Sequence, residues 1–147
     1  MNARLTLTDI AARIRTELND ATIHVGTSYD RDYMTAFTKT YPAVWVAAQR
    51  LTPIDTGRGY SGLYRQHARV EFVVNLVVQR YAENQPEVEA ALNELHDAVC
   101  AALLGWTPTS ASEHVVLVSS QDGPPSQTLS TVSIIFAVTT TYQRTAP

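Results

Sequence analysis

Three of the six glycines lie within six residues of one another, at the spacing G-x-G-x-x-G. They are Gly57, Gly59 and Gly62. In dinucleotide-binding folds, a loop of this spacing follows a strand and opens a helix whose N-terminus faces the pyrophosphate. Here residues 63–81 continue as loop and then as an alternating strand. Without the helix, the electrostatic basis for phosphate binding is lost, so the glycines predict a flexible or tightly turned loop.

The triplet Asp55-Thr56-Gly57 overlaps this loop and matches the triplet of aspartic proteases. In those enzymes two carboxylates share one proton, so a chain with one triplet would require a symmetric dimer. The next residue is Arg58, and a cation beside the carboxylate would hold it ionised and prevent the sharing. A turn at Asp55 is the simpler interpretation, and a small aspartic-type hydrolase stays as a remote alternative.

His96 and Cys100 lie one helical turn apart, with Asp97 between them. This spacing could supply two metal ligands, or a thiol and its general base. Only two such ligands are evident, and Cys100 adjoins the apolar Val99, so a small buried thiol is favoured. The other histidines are scattered singly along the chain. We therefore expect no catalytic residue, no cofactor and no metal site, and the sequence requires no enzyme.

The composition is that of an ordinary globular protein. The chain has 147 residues, of which 45% are hydrophobic and 17% charged, and its formal net charge is −3. These values exclude a disordered tail, a collagen-like fibre and a coiled coil. A net acidic chain is not a typical nucleic-acid binder. No apolar run reaches the roughly 18 residues of a membrane span, and a single cysteine excludes an internal disulfide.

Hydrophobic periodicity predicts two helices and several strands. The helices cover residues 8–19 and 86–104, and the strands cover residues 22–26, 42–51, 68–81, 115–119 and 131–142. We expect an α/β (α+β) fold, in which two main helices pack on one face of a mixed, mostly antiparallel sheet of four to five strands. This two-layer sandwich makes residues 1–147 one domain, with arm or loop elements at about 28–41, 52–66 and 120–128.

Several side chains have a predicted place in this fold. Thr8 can cap the first helix. Val44, Val46 and Ala48 share one side of their strand, with Trp45 on the other. The aromatic residues of the 28–41 arm are expected to form a satellite core. The face of the sheet away from the helices carries apolar residues that something should cover, namely Val73, Val77, Ile135 and Ala137.

Charge is unevenly distributed along the chain. Residues 50–69 contain four arginines and one acid, Asp55, whereas residues 83–97 contain five acids and no base. Ten of the eleven basic residues are arginine, which suits contact surfaces because its planar group forms bidentate contacts. Such a chain can pair head-to-tail with copies of itself, and a contact of this kind that closes makes a ring. Two solvated faces without a partner remain the alternative.

A run of short matches resembles small structural proteins of tailed bacteriophages. The matching segments are residues 41–46 (Tyr-Pro-Ala-Val-Trp-Val), 52–62 (Thr-Pro-Ile-Asp-Thr-Gly-Arg-Gly-Tyr-Ser-Gly), 77–81 (Val-Val-Gln-Arg-Tyr) and 103–108 (Leu-Leu-Gly-Trp-Thr-Pro). The resemblance is to the tail terminator group, including those of Mu-like phages, and it spans about residues 42–108. It contains no catalytic signature.

The resemblance implies a small α/β protein that assembles as a hexameric ring. Such a ring sits on the last ring of tail tube protein, stops its polymerisation and presents a surface to the neck of the filled head. It implies a virion protein assembled in the host cytoplasm, with DNA crossing the lumen without specific binding. Contacts between subunits, or to tube and neck, are then expected at Arg58, Tyr60, Tyr64, Arg65, Glu87, Glu94 and Asp97.

Three other functions compete with this one. Another neck protein, such as a head–tail connector or a tail-completion protein, has the same class of task at a different level. A binding module of a cellular pathway is a third possibility, alongside the hydrolase considered above. Sequence patterns alone leave open the number of subunits and which face of a ring would meet the tube.

Overall fold

The computed structural model describes residues 4–36, 40–54, 58–60, 63–80, 85–124, 126 and 128–145. The helices are α1 (Leu7–Leu18), α2 (Tyr33–Ala36) and α3 (Gln85–Leu103). The strands are β1 (His24–Thr27), β2 (Ala43–Pro53), β3 (Arg58–Tyr60), β4 (Leu63–Gln79), β5 (Val116–Asp122) and β6 (Leu129–Thr145).

The strands form one mixed sheet in the order β1-β2-β4-β6-β5, with β3 also paired to β4. Only the β1–β2 pair is parallel among these strands. The centre is the ladder between β4 and β6, which runs without a register shift from Leu63 opposite Thr145 to Gln79 opposite Leu129. This arrangement confirms the predicted α+β class with a mixed, mostly antiparallel sheet.

The core lies between the sheet and the two long helices. Alternate residues of β4, from Val70 to Val78, point into it, and their neighbours point away. α1 and α3 cover this face with apolar stripes at helical spacing. Burying each large apolar side chain contributes about 1.5–3 kcal/mol, so the covered face holds the two layers together. The fully buried core side chains include Ile10, Ile14, Val44, Val46, Val70, Phe72, Val74, Leu76, Val99, Leu103, Ile134 and Phe136.

Arg13, in the middle of α1, joins this helix to the C-terminal end of α3. Its Nε donates to the carbonyl oxygen of Ala102 at 3.0 Å, near the end of α3 where carbonyls lack helical partners. Its guanidinium also lies 5.4 Å from the ring centroid of Trp106 and pairs with Glu17 at 3.0 Å. Gly105, just beyond α3, has φ of 82°, which a residue with a side chain adopts at a cost.

α1 begins at Leu7, one residue before the predicted start. Its N-cap is Thr6, whose side chain makes no capping hydrogen bond, so the prediction that Thr8 caps the helix is wrong. The helix ends at Asn19, which has φ of 47° and donates its N–H to the carbonyl of Arg15 at 3.1 Å. Asparagine tolerates this left-handed conformation better than most residues, so it ends the helix without a glycine.

A smaller cluster forms on the opposite face of the sheet. Trp45 is fully buried there, with its ring 5.3 Å from that of Tyr33 and 4.7 Å from that of His24. The predicted satellite core of the aromatic arm is confirmed for Tyr33 of α2 and wrong for Tyr29 and Tyr41, which are exposed; Phe37 lies outside the described residues. Of the apolar residues expected to need cover on this face, Val77 and Ala137 are buried within the chain, and Val73 and Ile135 are half-buried.

β2 contains a bulge that sequence alternation did not reveal. The register passes from Ala47 opposite Val73 to Gln49 opposite Phe72, so Ala48 has no partner; it is exposed, with φ of 42°. Because one extra residue moves the following side chains to the other face, the prediction that Ala48 shares a side with Val44 and Val46 is wrong. Gln49 takes the helix side, where its side chain bonds both the N–H and the carbonyl of Leu5 at 3.0 and 2.9 Å.

The sheet also extends further than predicted. Much of the stretch 52–66 that we expected as a loop forms the end of β2, the short strand β3 and the start of β4. β6 likewise continues to Thr145, and β5 includes residues 120–122 of the expected loop at 120–128. The result is a three-stranded end, β3-β4-β6, that continues past the last β2 residue, Pro53.

Candidate functional site

The three-stranded end of the sheet collects the basic part of the predicted interface. Arg58 lies opposite Arg65, and Tyr60 lies opposite Leu63. On the other side of β4, Arg144 lies opposite Tyr64. Residues 58–67 and 141–145 contain three arginines and no acid, so we name this region the basic end. It brings together four of the predicted residues, namely Arg58, Tyr60, Tyr64 and Arg65.

Arg65 is held in place at the basic end. Its side chain is exposed, and its Nε donates to Oε1 of Gln143 at 3.2 Å across the β4–β6 ladder. Two positions along β4, His67 Nδ1 lies 2.9 Å from the Thr141 hydroxyl. These cross-strand contacts fix side chains on the face of the sheet away from the helices. The guanidinium keeps donors for a further partner, because only one of its N–H groups is used by Gln143.

The acidic part of the predicted interface lies on α3. Glu87, Glu94 and Asp97 are exposed, and α3 contains no lysine or arginine. Within the described residues, the salt bridges join Arg13 to Glu17, Arg69 to Glu71 and His96 to Asp97. Glu87 and Glu94 therefore present charge that the described part of the chain does not neutralise. We name the exposed side of α3 the acidic face.

The basic end and the acidic face are separated within one chain. α3 starts six residues after Gln79, the last residue of β4. Gln79 is 14 residues from Arg65 along that strand, which corresponds to about 46 Å at the usual rise per residue. The start of α3, with Glu87, therefore lies at the end of the sheet remote from Arg65. This distance excludes an intramolecular contact between Glu87 and Arg65.

His96 and Cys100 do not form a catalytic pair. His96 Nε2 lies 2.9 Å from the Ser120 hydroxyl, and its Nδ1 lies 3.2 Å from a carboxylate oxygen of Asp97. Burial, and then the carboxylate of Asp97, raises the pKa of the Cys100 thiol. A thiol with a raised pKa is a poor nucleophile and a poor metal ligand near neutral pH. Among the described residues, no group of three or more histidine, cysteine or acidic side chains is placed to hold a metal ion.

The structure describes only part of the glycine spacing and none of the aspartic-protease triplet. The triplet Asp55-Thr56-Gly57 lies outside the described residues, as do Gly57 and Gly62 of the glycine spacing. Gly59 is in β3, and the chain then enters β4 at Leu63. As expected, a strand and not a helix follows this spacing, so no helix N-terminus is placed there to face a phosphate.

The comparison with protein families decides the class of protein. A family model described as phage tail terminator protein matches residues 1–146, which is nearly the whole chain. The chain belongs to the phage tail terminator family. The match confirms the resemblance found over residues 42–108 and extends it to both sides. No curated protein matches the chain significantly.

The family consists of structural proteins of the phage tail. Between α3 and the β5–β6 hairpin, this tail terminator has a groove of about 510 Å³ that includes Val88, Leu92, Glu89 and Asp122. The groove adjoins the acidic face. Among the described helices, none is long and apolar enough to cross a membrane.

Sequence reasoning missed one surface of this tail terminator. All seven residues of β5 are exposed, including the successive apolar residues Val116, Leu117 and Val118, which are 46%, 44% and 40% exposed. The sequence predicted a strand at residues 115–119 but not its exposure; only Val115, just before β5, is buried. The signal in the sequence that could have found this surface is the run of three consecutive apolar residues, which lacks the alternation of a half-buried strand.

Proposed function

We propose that this protein forms a ring at the head-proximal end of the phage tail tube, stops tube polymerisation and provides the surface to which the neck of the head attaches. The observation that carries this proposal is the family match over residues 1–146. A hexamer is the expected ring, with the tail tube protein and a neck or head–tail connector protein as its partners. The protein would be assembled in the host cytoplasm and then become part of the virion.

The distribution of charge supports a closed ring. The basic end lies on β3, β4 and β6, and the acidic face lies on α3. A contact between two different surfaces is heterologous, and repetition of such a contact gives a ring when the rotation closes. In our proposal, Arg58 and Arg65 of one subunit meet Glu94 and Asp97 of the next. Opposite charges in this arrangement also exclude wrong pairings, because like charges would face each other.

DNA would pass through the ring without being held. Affinity for DNA comes largely from neutralising phosphates with lysine and arginine. This chain has a net charge of −3, and lysine occurs once. In the proposed contact, Arg58 and Arg65 are occupied by carboxylates of the neighbouring subunit. A ring of net acidic subunits would let the duplex cross without specific binding.

The test of the proposed function uses the purified protein, tail tubes and filled heads. Native mass spectrometry and electron microscopy should show a ring of six subunits, and the ring should cap tubes at one end and arrest their growth. A connector would instead bind heads and leave tube growth unaffected. A protein that stays monomeric at all concentrations, or tubes that grow past it, would contradict the proposal.

Charge reversal tests the proposed subunit contact. The double variant Glu94→Lys/Asp97→Lys should convert rings to monomers in sedimentation velocity experiments, and adding Arg58→Glu/Arg65→Glu should restore them. Asp32→Lys, at an exposed acid near α2 and far from the acidic face, is the matched control and should leave rings intact. A double variant that still sediments as a full ring contradicts this pairing.

A further inference from the structure

β5 has the properties of an edge strand to which a further strand can be added. Its sheet neighbour is β6, and within the described part of the chain no other strand pairs with residues 116–122, although the backbone of Val115, just before β5, bonds to Gly105 and Trp106. It contains no proline, lysine or arginine, and Asp122 is its single charged residue. A bulge at Val118 is its one protective feature. Exposed apolar side chains on an unpaired edge form a template for a strand from another molecule.

The opposite edge of the sheet is closed where β1 forms it. Nη2 of Arg15 donates to the carbonyl oxygen of Val25 at 2.7 Å, and the N–H of Thr27 donates to Oδ2 of Asp30 at 3.1 Å. These side chains occupy peptide groups that a new strand would need. Further along this edge, β2 is interrupted by the bulge at Ala48 and ends at Pro53. Bulges and prolines both discourage strand addition.

β3 is the remaining strand on that side. It pairs with β4 beyond the end of β2, and β6 occupies the other side of β4 along its whole length. The outer edge of β3 and the outer edge of β5 therefore face in opposite directions across the sheet. Two edges of this kind can be joined head-to-tail in successive copies of one chain.

We propose that β3 of one copy adds to the β5 edge of the next copy, so that the sheet continues from subunit to subunit. This inference rests on the proposed ring and specifies how its subunits are joined. The occupant of the β5 edge is thus a second copy of this chain, and its strand is Arg58–Tyr60.

Charge complementarity supports this choice of occupant. β3 belongs to the basic end, where Arg58 lies opposite Arg65. β5 adjoins the acidic face of α3, because His96 contacts both the Ser120 hydroxyl of β5 and the carboxylate of Asp97. Addition of β3 to β5 would therefore bring the arginines of one copy beside the carboxylates of another. Strand pairing and the proposed charge contact are satisfied by one arrangement.

Cysteine cross-linking tests this strand pairing directly. In a Cys100→Ala background, Gly59→Cys or Tyr60→Cys is combined with each of Leu117→Cys, Val118→Cys and Ser119→Cys, which covers the possible registers. Neighbouring strands bring Cβ atoms within the distance that a disulfide needs. At least one pair should give covalent ladders up to the full ring after oxidation. The matched pair Ser28→Cys/Tyr60→Cys, with its partner on the closed edge, should give none.

A second variant tests the β5 edge without cysteine chemistry. Val118→Lys places a charge on the exposed edge and should cause loss of the ring, whereas Tyr29→Lys, at a residue 69% exposed near the closed edge, should not. Circular dichroism verifies that both variants are folded.

The outcomes separate this inference from the proposed function. Rings that persist in Val118→Lys, or that yield no cross-link in any of the six pairs, would overturn the β3–β5 pairing and leave the ring itself standing. An unsubstituted protein that forms no ring would overturn both.

Discussion

The two edges of this sheet differ in whether other parts of the chain cover them. At the β1 edge, side chains of the same chain occupy the peptide groups, through Arg15 and Asp30, and Trp45 packs beneath the strand. At the β5 edge, the strand is exposed along its whole length, and α3 beside it carries unneutralised acids. The β1 edge is therefore part of the completed fold, whereas the β5 edge is available to a partner. Changes at the first should affect folding, and changes at the second should affect assembly.

The largest effect is expected from removing the support of the closed edge. Trp45→Ala deletes a fully buried ring that contacts His24 of β1 and Tyr33 of α2. Deleting a buried aromatic side chain of this kind costs about 3–5 kcal/mol, because packing is lost and a cavity remains. Chemical denaturation should show this decrease in the free energy of unfolding. A decrease below about 1 kcal/mol would mean that the closed edge is not part of the folding core.

A substitution at Gly26 should have the next largest effect. A Cβ there would collide with the carboxylate of Asp30 and lie 2.6 Å from Cζ3 of Trp45. Gly26→Ala should therefore lower the free energy of unfolding by about 1–3 kcal/mol, the usual cost of overpacking. Thermal unfolding measures the effect. Ala21→Gly in the exposed turn before β1 is a control expected to change stability little.

Removing the two side chains that bond the outer edge of β1 tests the difference between the two edges. In Arg15→Ala/Asp30→Ala, the Val25 carbonyl and the Thr27 N–H lose their side-chain partners. We expect a loss of about 1–2 kcal/mol in stability, typical of hydrogen bonds to charged groups that are partly solvated. Dynamic light scattering should in addition detect irregular association, because the variant has two unprotected edges. Unchanged monodispersity would show that these two side chains do not protect β1.

At the open edge, a change should leave the single chain almost unaffected. Val118→Lys alters an exposed residue that has no partner across β6. Its effect on the free energy of unfolding, measured at a concentration where both proteins are monomeric, should stay within about 0.5 kcal/mol. A loss as large as that of Trp45→Ala would mean that β5 contributes to the fold and would remove the distinction between the edges.

The smallest effect concerns the thiol behind the acidic face. Because the pKa of Cys100 is raised, first by burial and then by Asp97, the folded protein holds less thiolate than an unfolded chain at pH 8. Alkylation by iodoacetamide should be slower than in urea-unfolded protein and should accelerate as pH rises. Asp97→Asn should recover part of the rate, since burial remains. Equal rates for both folded proteins would show that Asp97 does not influence the thiol.

Much of the fold could be predicted because two periodicities are strong. Alternation along β4 and helical spacing in α1 and α3 determine which side of each element is buried. The bulge at Ala48 could not be found this way, because it is defined only against the register of β4. β3 was missed because it has three residues in a glycine-rich stretch, and its pairing gives no periodic signal.

The candidate site was predicted in part. Charge clustering along the chain indicated both the basic and the acidic groups, since neighbours in sequence share an element. The addition of Arg144 to the basic end could not be predicted, because its pairing with Tyr64 joins residues that are 80 positions apart. The exposure of β5 could not be predicted, because it depends on how far the other elements extend over this strand in the folded protein.

The position of β6 also governs when the fold can form during synthesis. Among the described strands, β6 comes last in sequence, yet it lies between β4 and β5 and forms the longest ladder of the sheet. While residues 129–145 remain inside the ribosome, β4 and β5 have no neighbour between them, and the core lacks Ile134 and Phe136. Completion of the sheet therefore has to wait until residues 129–145 have left the ribosome.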